Sequence, residues 1–275
     1  MGWHVSLIEA ARQPGGRARS VALTETLTMD NGQHILIGAY TRCLQLMQQV
    51  GVDAAQLLHR APLDLRSPDG HGLRMPPASA LPAWDVLRAI WQAKGWSLSA
   101  RLSLLRVAAR WQRQGYRCDS GATVLQVCQG LHAEILRTLI TPLCVSAFNS
   151  LPEHTSGQVF LRVIHDALMA QRGGSDALVA RVPLGQLLPE PAVHWLQAQG
   201  ANVRLACRVQ GLEPLRASSP NAGWQLQLDD GSLLQVDRVI LATPATEAAR
   251  LLQGMQTHLC EVQHKRYQRW IRLAH

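Results

Sequence analysis

Glu9 closes a short apolar run, 4-HVSLI-8, and is followed at close spacing by Arg12, Gly15, Gly16, Arg17 and Arg19. A carboxylate at the carboxyl end of a parallel strand lies at the crevice edge where α/β sheets bind ligands, and it can accept both hydroxyls of a ribose. Two glycines let backbone N–H groups come close to a pyrophosphate, and an arginine fork grips its oxygens. Each half also has a plainer reading. An acid at a strand end is commonly just solvated, and Gly-Gly-Arg occurs in ordinary loops. The joined pattern E-x-x-R-x-x-G-G-R-A-R after a strand is more specific, and points to an adenine nucleotide held at its ribose and phosphates.

Two further stretches carry chemistry. In 30-DNGQHILIG-38 the Asp30-Asn31-Gly32 triplet forces a tight turn, beyond which Gln33 and His34 present hydrogen-bonding groups to a flat ligand. A β-turn with a satisfied polar pair reads equally well there. In 239-VILATPA-245 an apolar strand ends in small residues, Ala242 and Thr243, that let a dinucleotide lie close. By itself this is also simply a buried strand and its exit.

The elements that must position these groups follow from pattern. Residues 4–9 read as a buried parallel strand. The stretch 41–51 has helical periodicity with a Gly stop, and 63–75 reads as a hairpin around Pro68-Asp69-Gly70. From Trp84 to about Gln171 the pattern is helical. Trp84, Leu87, Ile90 and Trp91 fall on one stripe, and 99-SARLSLLRVAARWQRQG-115 begins with an N-cap Ser99. Such Trp- and Arg-bearing helices either pack into their own domain or rest on a membrane surface. Strand grammar returns after Gly173-Gly174. A helix over 186–200 is followed by an alternating strand over 201–212. An antiparallel pair then closes at Asp229-Asp230-Gly231 and feeds a buried strand, Val239 to Ala242. The chain is thus predicted to be mixed α/β, with a β-meander. Strand-rich segments 1–61 and 183–275 form one discontinuous domain, interrupted by a mainly helical domain over 62–182.

With 275 residues, 47% of them hydrophobic, the chain can bury a sizeable core. The net charge of +8 favours anionic partners. Its arginines are scattered rather than blocked, with no zinc-finger spacing and no RNP aromatics, so no nucleic-acid partner is expected. Cys43, Cys118, Cys128, Cys144, Cys207 and Cys260 have no C-x-x-C pair or His at ligand spacing; they read as small buried hydrophobes in a reducing compartment, and no metal is expected. Neither a signal peptide nor an apolar run of roughly 18 residues is seen. A cytoplasmic location is expected, with the inner face of the cytoplasmic membrane as an option.

Beyond these patterns, the sequence resembles the FAD-dependent amine oxidase and phytoene desaturase superfamily. Within it the chain looks like the squalene-associated branch, the hydroxysqualene dehydroxylases of hopanoid biosynthesis. The likeness rests on 8-IEAARQPGGRARS-20, 30-DNGQHILIGAY-40, 146-SAFNSLPEHTSGQVFLRVIHDAL-168, 183-PLGQLLPEP-191 and 238-RVILATPA-245, and runs from about Trp3 to Leu252. It implies a Rossmann-like FAD-binding domain in which Glu9 holds the ribose and Arg12, Gly15, Gly16 and Arg17 line the pyrophosphate. It implies further that Asn31, Gly32 and Gln33 approach the isoalloxazine, that Val209 meets adenine by its backbone, and that Ala242 and Thr243 lie against the dinucleotide.

The chemistry implied is reductive removal of hydroxyl from an allylic C30 alcohol, with hydride from reduced flavin and a helical, apolar, lipid-facing substrate cavity. An acid must protonate the departing hydroxide; His34 and Asp30 are candidates. A carotenoid or phytoene-type desaturase or another flavoenzyme of the amine oxidase family, and a non-catalytic lipid-binding remnant without flavin, remain the alternatives. The chain departs from the family in two places. The first strand and its G-x-G-x-x-G turn, which belong about 20 residues before Glu9, have no counterpart, and 253-QGMQTHLCEVQHKRYQRWIRLAH-275 turns basic and loses the family's pattern. The expectation is a FAD domain incomplete at both ends that binds FAD poorly or not at all.

Overall fold

The computed structural model describes residues 2–25, 27–32, 34–215 and 223–253. The chain divides into two compact units, one of Met1–Asn31 with Leu188–His275 and one of Gly32–Leu187.

In the first unit, the strand Ser6–Ile8 pairs in parallel with Asn202–Arg204, matching Leu7 to Val203. The helix Pro189–Ala198 precedes that partner strand, so the crossover has helix-then-strand order. Pro189 opens this helix, at a position where a missing N–H costs nothing, so the start expected at residue 186 is displaced to it. Gly200, at φ 84°, ends it. Ser6–Ile8 is not the buried strand its composition suggested. Ser6 is exposed and Leu7 and Ile8 are half-buried, because only one of its edges carries a partner among the described residues.

The alternating strand expected over 201–212 is instead two strands, Asn202–Arg204 and Val209–Pro214. Between them Ala206 takes the left-handed conformation at φ 50° and ends the first ladder. The second strand joins Trp224–Leu228 and Leu233–Val236 in an antiparallel meander, turned at Asp229-Asp230-Gly231 as that triplet predicts. Cys207, Leu212, Leu226 and Leu228 form its buried heart.

Val239 to Ala242 forms no strand. These residues join no ladder among the described residues, and Ile240 is 91% exposed. A four-residue apolar run gains its burial as a strand only from neighbours on both sides. Without them it is an irregular lead into the helix Ala245–Gln253.

The second unit is built on helices. Pro82–Gln92, Leu98–Arg113 and Gly157–Leu168 surround a core that includes Ile90, Leu104, Val107, Trp111, Phe160 and Leu161. Trp111 meets Phe160 edge-on, with ring centroids 5.7 Å apart. The indole N–H of Trp111 donates to the Val127 carbonyl at 2.9 Å, which satisfies the polar end of a buried ring. The cap of Leu98–Arg113 is Ser97 rather than Ser99: its hydroxyl accepts from the Ala100 N–H at 3.2 Å, and the helix therefore starts earlier than its pattern suggested. Thr123 and Gln126 form a reciprocal capping box on the short turn Val124–Val127. A π turn, Leu136–Ile140, leads into Thr141–Phe148, where Pro142 has no N–H to continue an α ladder.

The stripe expected to bury Trp84, Leu87, Ile90 and Trp91 together is split. Val86, Ala89 and Ile90 are buried, whereas Trp84, Leu87 and Trp91 face outward. The cysteines divide as well: Cys128, Cys144 and Cys207 are buried as expected, Cys43 and Cys118 are only half-buried, and Cys260 lies outside the described residues. The helix Thr41–Gln49 ends before Gly51, which takes φ 84°, and Asp64–Arg66 pairs with Gly72–Arg74 around Gly70, as their turn residues predicted. A small antiparallel sheet orders Leu36–Ile37, Ala177–Ala180 and Leu58–Ala61. Beside it, Arg60 pairs with the buried Asp176 at 3.2 Å.

Candidate functional site

Glu9 ends its strand with both backbone groups engaged. Its N–H donates to the Arg204 carbonyl at 2.9 Å, and its carbonyl accepts from the Cys207 N–H at 3.0 Å. The Ala206 N–H donates to the Ala11 carbonyl at 2.8 Å, so the break between the two strands wraps the chain leaving Glu9. One carboxylate oxygen of Glu9 accepts the Ala11 N–H at 2.7 Å. That bond aims the side chain, and the second oxygen retains its capacity to accept.

The loop then turns on glycine. Gly15 is left-handed at φ 107° and precedes a single 3₁₀ turn, Gly16–Ala18, closed by the Ala18 N–H donating to the Gly15 carbonyl at 2.8 Å. A Cβ at Gly15 would stand 2.9 Å from Cγ of Pro189, so the loop packs directly on the start of that residue's helix. At Gly16 the reverse holds: nothing lies within 4 Å of where a Cβ would be, and its backbone is open to an approaching group.

Arg12 and Arg17 are exposed here, and Arg19 is half-buried with its Nε shielded from solvent and without a hydrogen-bond partner. A buried donor left unpaired is costly. An open glycine backbone in a loop that carries three arginines, one with an orphaned N–H, fits an anionic phosphate group. The residues present therefore suit the diphosphate of a dinucleotide.

The arm beyond Arg19 is held in register. Ser20–Ala22 pairs with Thr28–Asp30, the Asn31 N–H donates to the Arg19 carbonyl at 2.9 Å, and the Ser20 hydroxyl donates to the Asp30 carboxylate at 2.6 Å. Asp30 is thus engaged in a short charge-assisted bond. Gly32 and His34 belong to the other unit. There Gly32 is left-handed at φ 105°, and Nδ1 of the exposed His34 lies 3.1 Å from the Gly32 carbonyl. Gln33 lies outside the described residues.

Val209 opens the strand Val209–Pro214. Its carbonyl accepts from Nη2 of Arg250 at 3.0 Å, and Nη1 of the same arginine reaches the Gln210 carbonyl at 3.0 Å. Glu247 holds that guanidinium from the other side at 3.0 Å. Ala242 and Thr243 are exposed, just ahead of Pro244, whose carbonyl accepts the Ala248 N–H at 3.0 Å. The structure thus joins Glu9, Ala11 and the strand break through backbone bonds, holds Val209 separately through Arg250, and leaves Ala242 and Thr243 exposed.

Two residues carry more than their sequence pattern indicated. Arg19 sits in the same G-G-R-A-R run and reads there only as added positive charge; its orphaned Nε is visible only in three dimensions. Arg250 has no sequence signal at all, because its partners are carbonyls some forty positions earlier. Among the described residues no group of His, Cys, Asp or Glu side chains is arranged to hold a metal ion.

An acid at the end of a parallel strand pair, followed by a Gly-Gly turn in an arginine-bearing loop, is the pattern of a nucleotide-binding α/β fold. Residues 1–267 match the family model for flavin containing amine oxidoreductases, and the chain belongs to that family. It is an oxidoreductase family, and its cofactor is FAD. The chain is 28% identical over 273 residues to a hydroxysqualene dehydroxylase of Sinorhizobium fredii, covering 93% of this chain and 60% of that protein. It is 29% identical over 262 residues to a hydroxysqualene dehydroxylase of Rhodopseudomonas palustris, with the same two coverages, 93% and 60%. It thus spans about 60% of the length of the curated relatives it matches. Among solved structures, an oxidoreductase from Methanosarcina mazei superimposes with a TM-score of 0.64 at 14% identity, over 98% of this chain and 59% of that one. At that identity the likeness speaks for the fold.

Proposed function

We propose that this chain is the FAD-binding and substrate-facing part of a hydroxysqualene dehydroxylase, acting on a C30 allylic alcohol in squalene and hopanoid biosynthesis. The observation that carries this reading is the likeness, over 93% of the chain, to two curated relatives that share that name. In this reading segments 1–61 and 183–275 serve the cofactor, and 62–182 bounds an apolar substrate.

Glu9 would hold the ribose, with Arg12, Gly15, Gly16 and Arg17 on the diphosphate and Arg19 supplying its unpaired N–H. Asn31, Gly32 and Gln33 would approach the flavin ring, Val209 the adenine, and Ala242 and Thr243 the dinucleotide. Bound FAD in its reduced form would supply the hydride. The chain's own part is to protonate the departing hydroxide, which leaves as water, and to keep other water from the allylic carbon. His34 is exposed, with only Nδ1 set against the Gly32 carbonyl, while Asp30 is tied to Ser20, so His34 is the better candidate donor. An isoprenoid of this kind resides in lipid, so the working enzyme would sit at the cytoplasmic face of the membrane.

The test supplies the purified chain with FAD, a chemical reductant and hydroxysqualene, and analyses the extract by mass spectrometry. Squalene is the expected product. A dehydrogenated polyene from phytoene under oxidising conditions, with no squalene from hydroxysqualene, would favour a desaturase instead.

A further inference from the structure

We infer that the outward face of the helix Pro82–Gln92 is a docking surface for an anionic phospholipid bilayer. This deepens the membrane part of the proposed function and is independent of the flavin. Trp84, Leu87 and Trp91 lie on successive turns of one helix face and are 63%, 45% and 58% exposed, while Val86, Ala89 and Ile90 fill the core from the opposite side. The burial of the helix is therefore already satisfied, and the aromatic face is surplus to it. Large exposed apolar side chains set side by side mark an interaction site rather than ordinary surface.

The neighbouring helix extends this face. Nη1 and Nη2 of Arg101 cap the carbonyls of Trp91 and Ala93 at 2.9 and 2.7 Å, which pins the start of Leu98–Arg113 against the end of the first helix. Leu98 and Leu102, on either side of Arg101 in that helix, are also exposed.

Charge selects the occupant. Residues 82–113 contain six basic side chains against a single acid, Asp85; Arg101 and Arg110 are committed to backbone carbonyls, and Arg88, Lys94, Arg106 and Arg113 are exposed. Asp85 is buried and accepts the Ser79 N–H at 2.8 Å, so it does not offset the surface charge. Glu134 approaches only at Ser97, whose hydroxyl donates to it at 3.0 Å. Exposed Arg88 and Lys94 flank the tryptophans. Two copies of this face brought together would oppose like charges. An anionic lipid surface satisfies both halves, because indole rings settle at the headgroup level and lysine or arginine beside them meets the lipid phosphates. Among the described residues no helix is long and apolar enough to cross a membrane, so the contact is one of lying on the surface.

The experiment is flotation of the 275-residue chain, without flavin or substrate, on vesicles of phosphatidylcholine alone and of phosphatidylcholine mixed with phosphatidylglycerol. The expected result is flotation on the mixed vesicles, reduced by about tenfold in partition coefficient in Trp84→Ser/Trp91→Ser and similarly in Arg88→Glu/Lys94→Glu. Circular dichroism should be unchanged in both, since all four side chains are exposed. Equal flotation of parent and both variants, or equal flotation on the two lipid mixtures, would overturn the inference. So would a shift from dimer to monomer on light scattering in the tryptophan variant, which would assign the face to a second copy. Failure here leaves the hydroxysqualene assay standing, and loss of that assay leaves the flotation result standing.

Discussion

The Ala11 N–H donates to a carboxylate oxygen of Glu9 at 2.7 Å, two residues away along the chain. The acid is therefore aimed before any ligand arrives, and an aimed acceptor loses less entropy on binding than a free one. A charged hydrogen bond of this kind is worth about 1.5–3 kcal/mol. Glu9→Ala is thus expected to weaken FAD binding by roughly tenfold or more, read by flavin fluorescence titration, with the far-ultraviolet dichroism unchanged. Undiminished affinity in that variant would place the ribose elsewhere.

Gly15 and Gly16 separate a tightly packed from an open glycine. Gly15→Ala puts a Cβ 2.9 Å from the rigid Pro189 ring at φ 107°, and is expected to cost about 1–3 kcal/mol in urea unfolding. Gly16→Ala meets open space at φ 55°, which a non-glycine residue can adopt at about 1 kcal/mol. Its larger effect should appear in flavin affinity. If both variants lost stability equally, the open backbone assigned to Gly16 would be wrong.

Burial pushes the Cys128 thiol up to about 12, reinforced by the nearby Cys144 and opposed by Arg110. Only the thiolate alkylates, so at pH 8 roughly one Cys128 in ten thousand is reactive. Iodoacetamide labelling of the folded chain, mapped by peptide mass, should leave Cys128 and Cys144 unmodified while the half-buried Cys43 and Cys118 react first. The same shift sets a sign for stability. The native state keeps the Cys128 proton more tightly than the unfolded chain, so this contribution is intact below the ordinary thiol range and is lost as pH rises toward 12.

Asp176 gives the opposite end of the scale. Burial raises its carboxyl above the ordinary range, and Arg60 only partly counters that. The native state therefore binds this proton more tightly, and stability falls as pH rises through the raised value. In Asp176→Asn that dependence is absent. The stability of the variant relative to the parent, from urea midpoints, should be more favourable at pH 7 than at pH 4. A difference that ran the other way would mean that the Arg60 pair outweighs the cost of burial.

What the sequence determined by itself was the local part. The turn at Asp229-Asp230-Gly231, the hairpin at Gly70, the stop at Gly51 and the Glu9-to-Arg19 pattern each depend on a few adjacent residues, whose backbone preferences and charges are properties of those residues alone. The tertiary structure decided everything that needs a distant partner. Helical spacing places Ile90 and Trp91 side by side on the same stripe, and only the packing of Leu98–Arg113 and Gly157–Leu168 around the core selects Ile90 for burial and leaves Trp91 outside. Ser97 rather than Ser99 caps its helix because Ala100 N–H lies within its reach. Ala206 breaks one expected strand into two because its N–H goes to Ala11. Val239 to Ala242 has strand composition, but a ladder is formed between residues far apart in the chain, and composition cannot supply the neighbour.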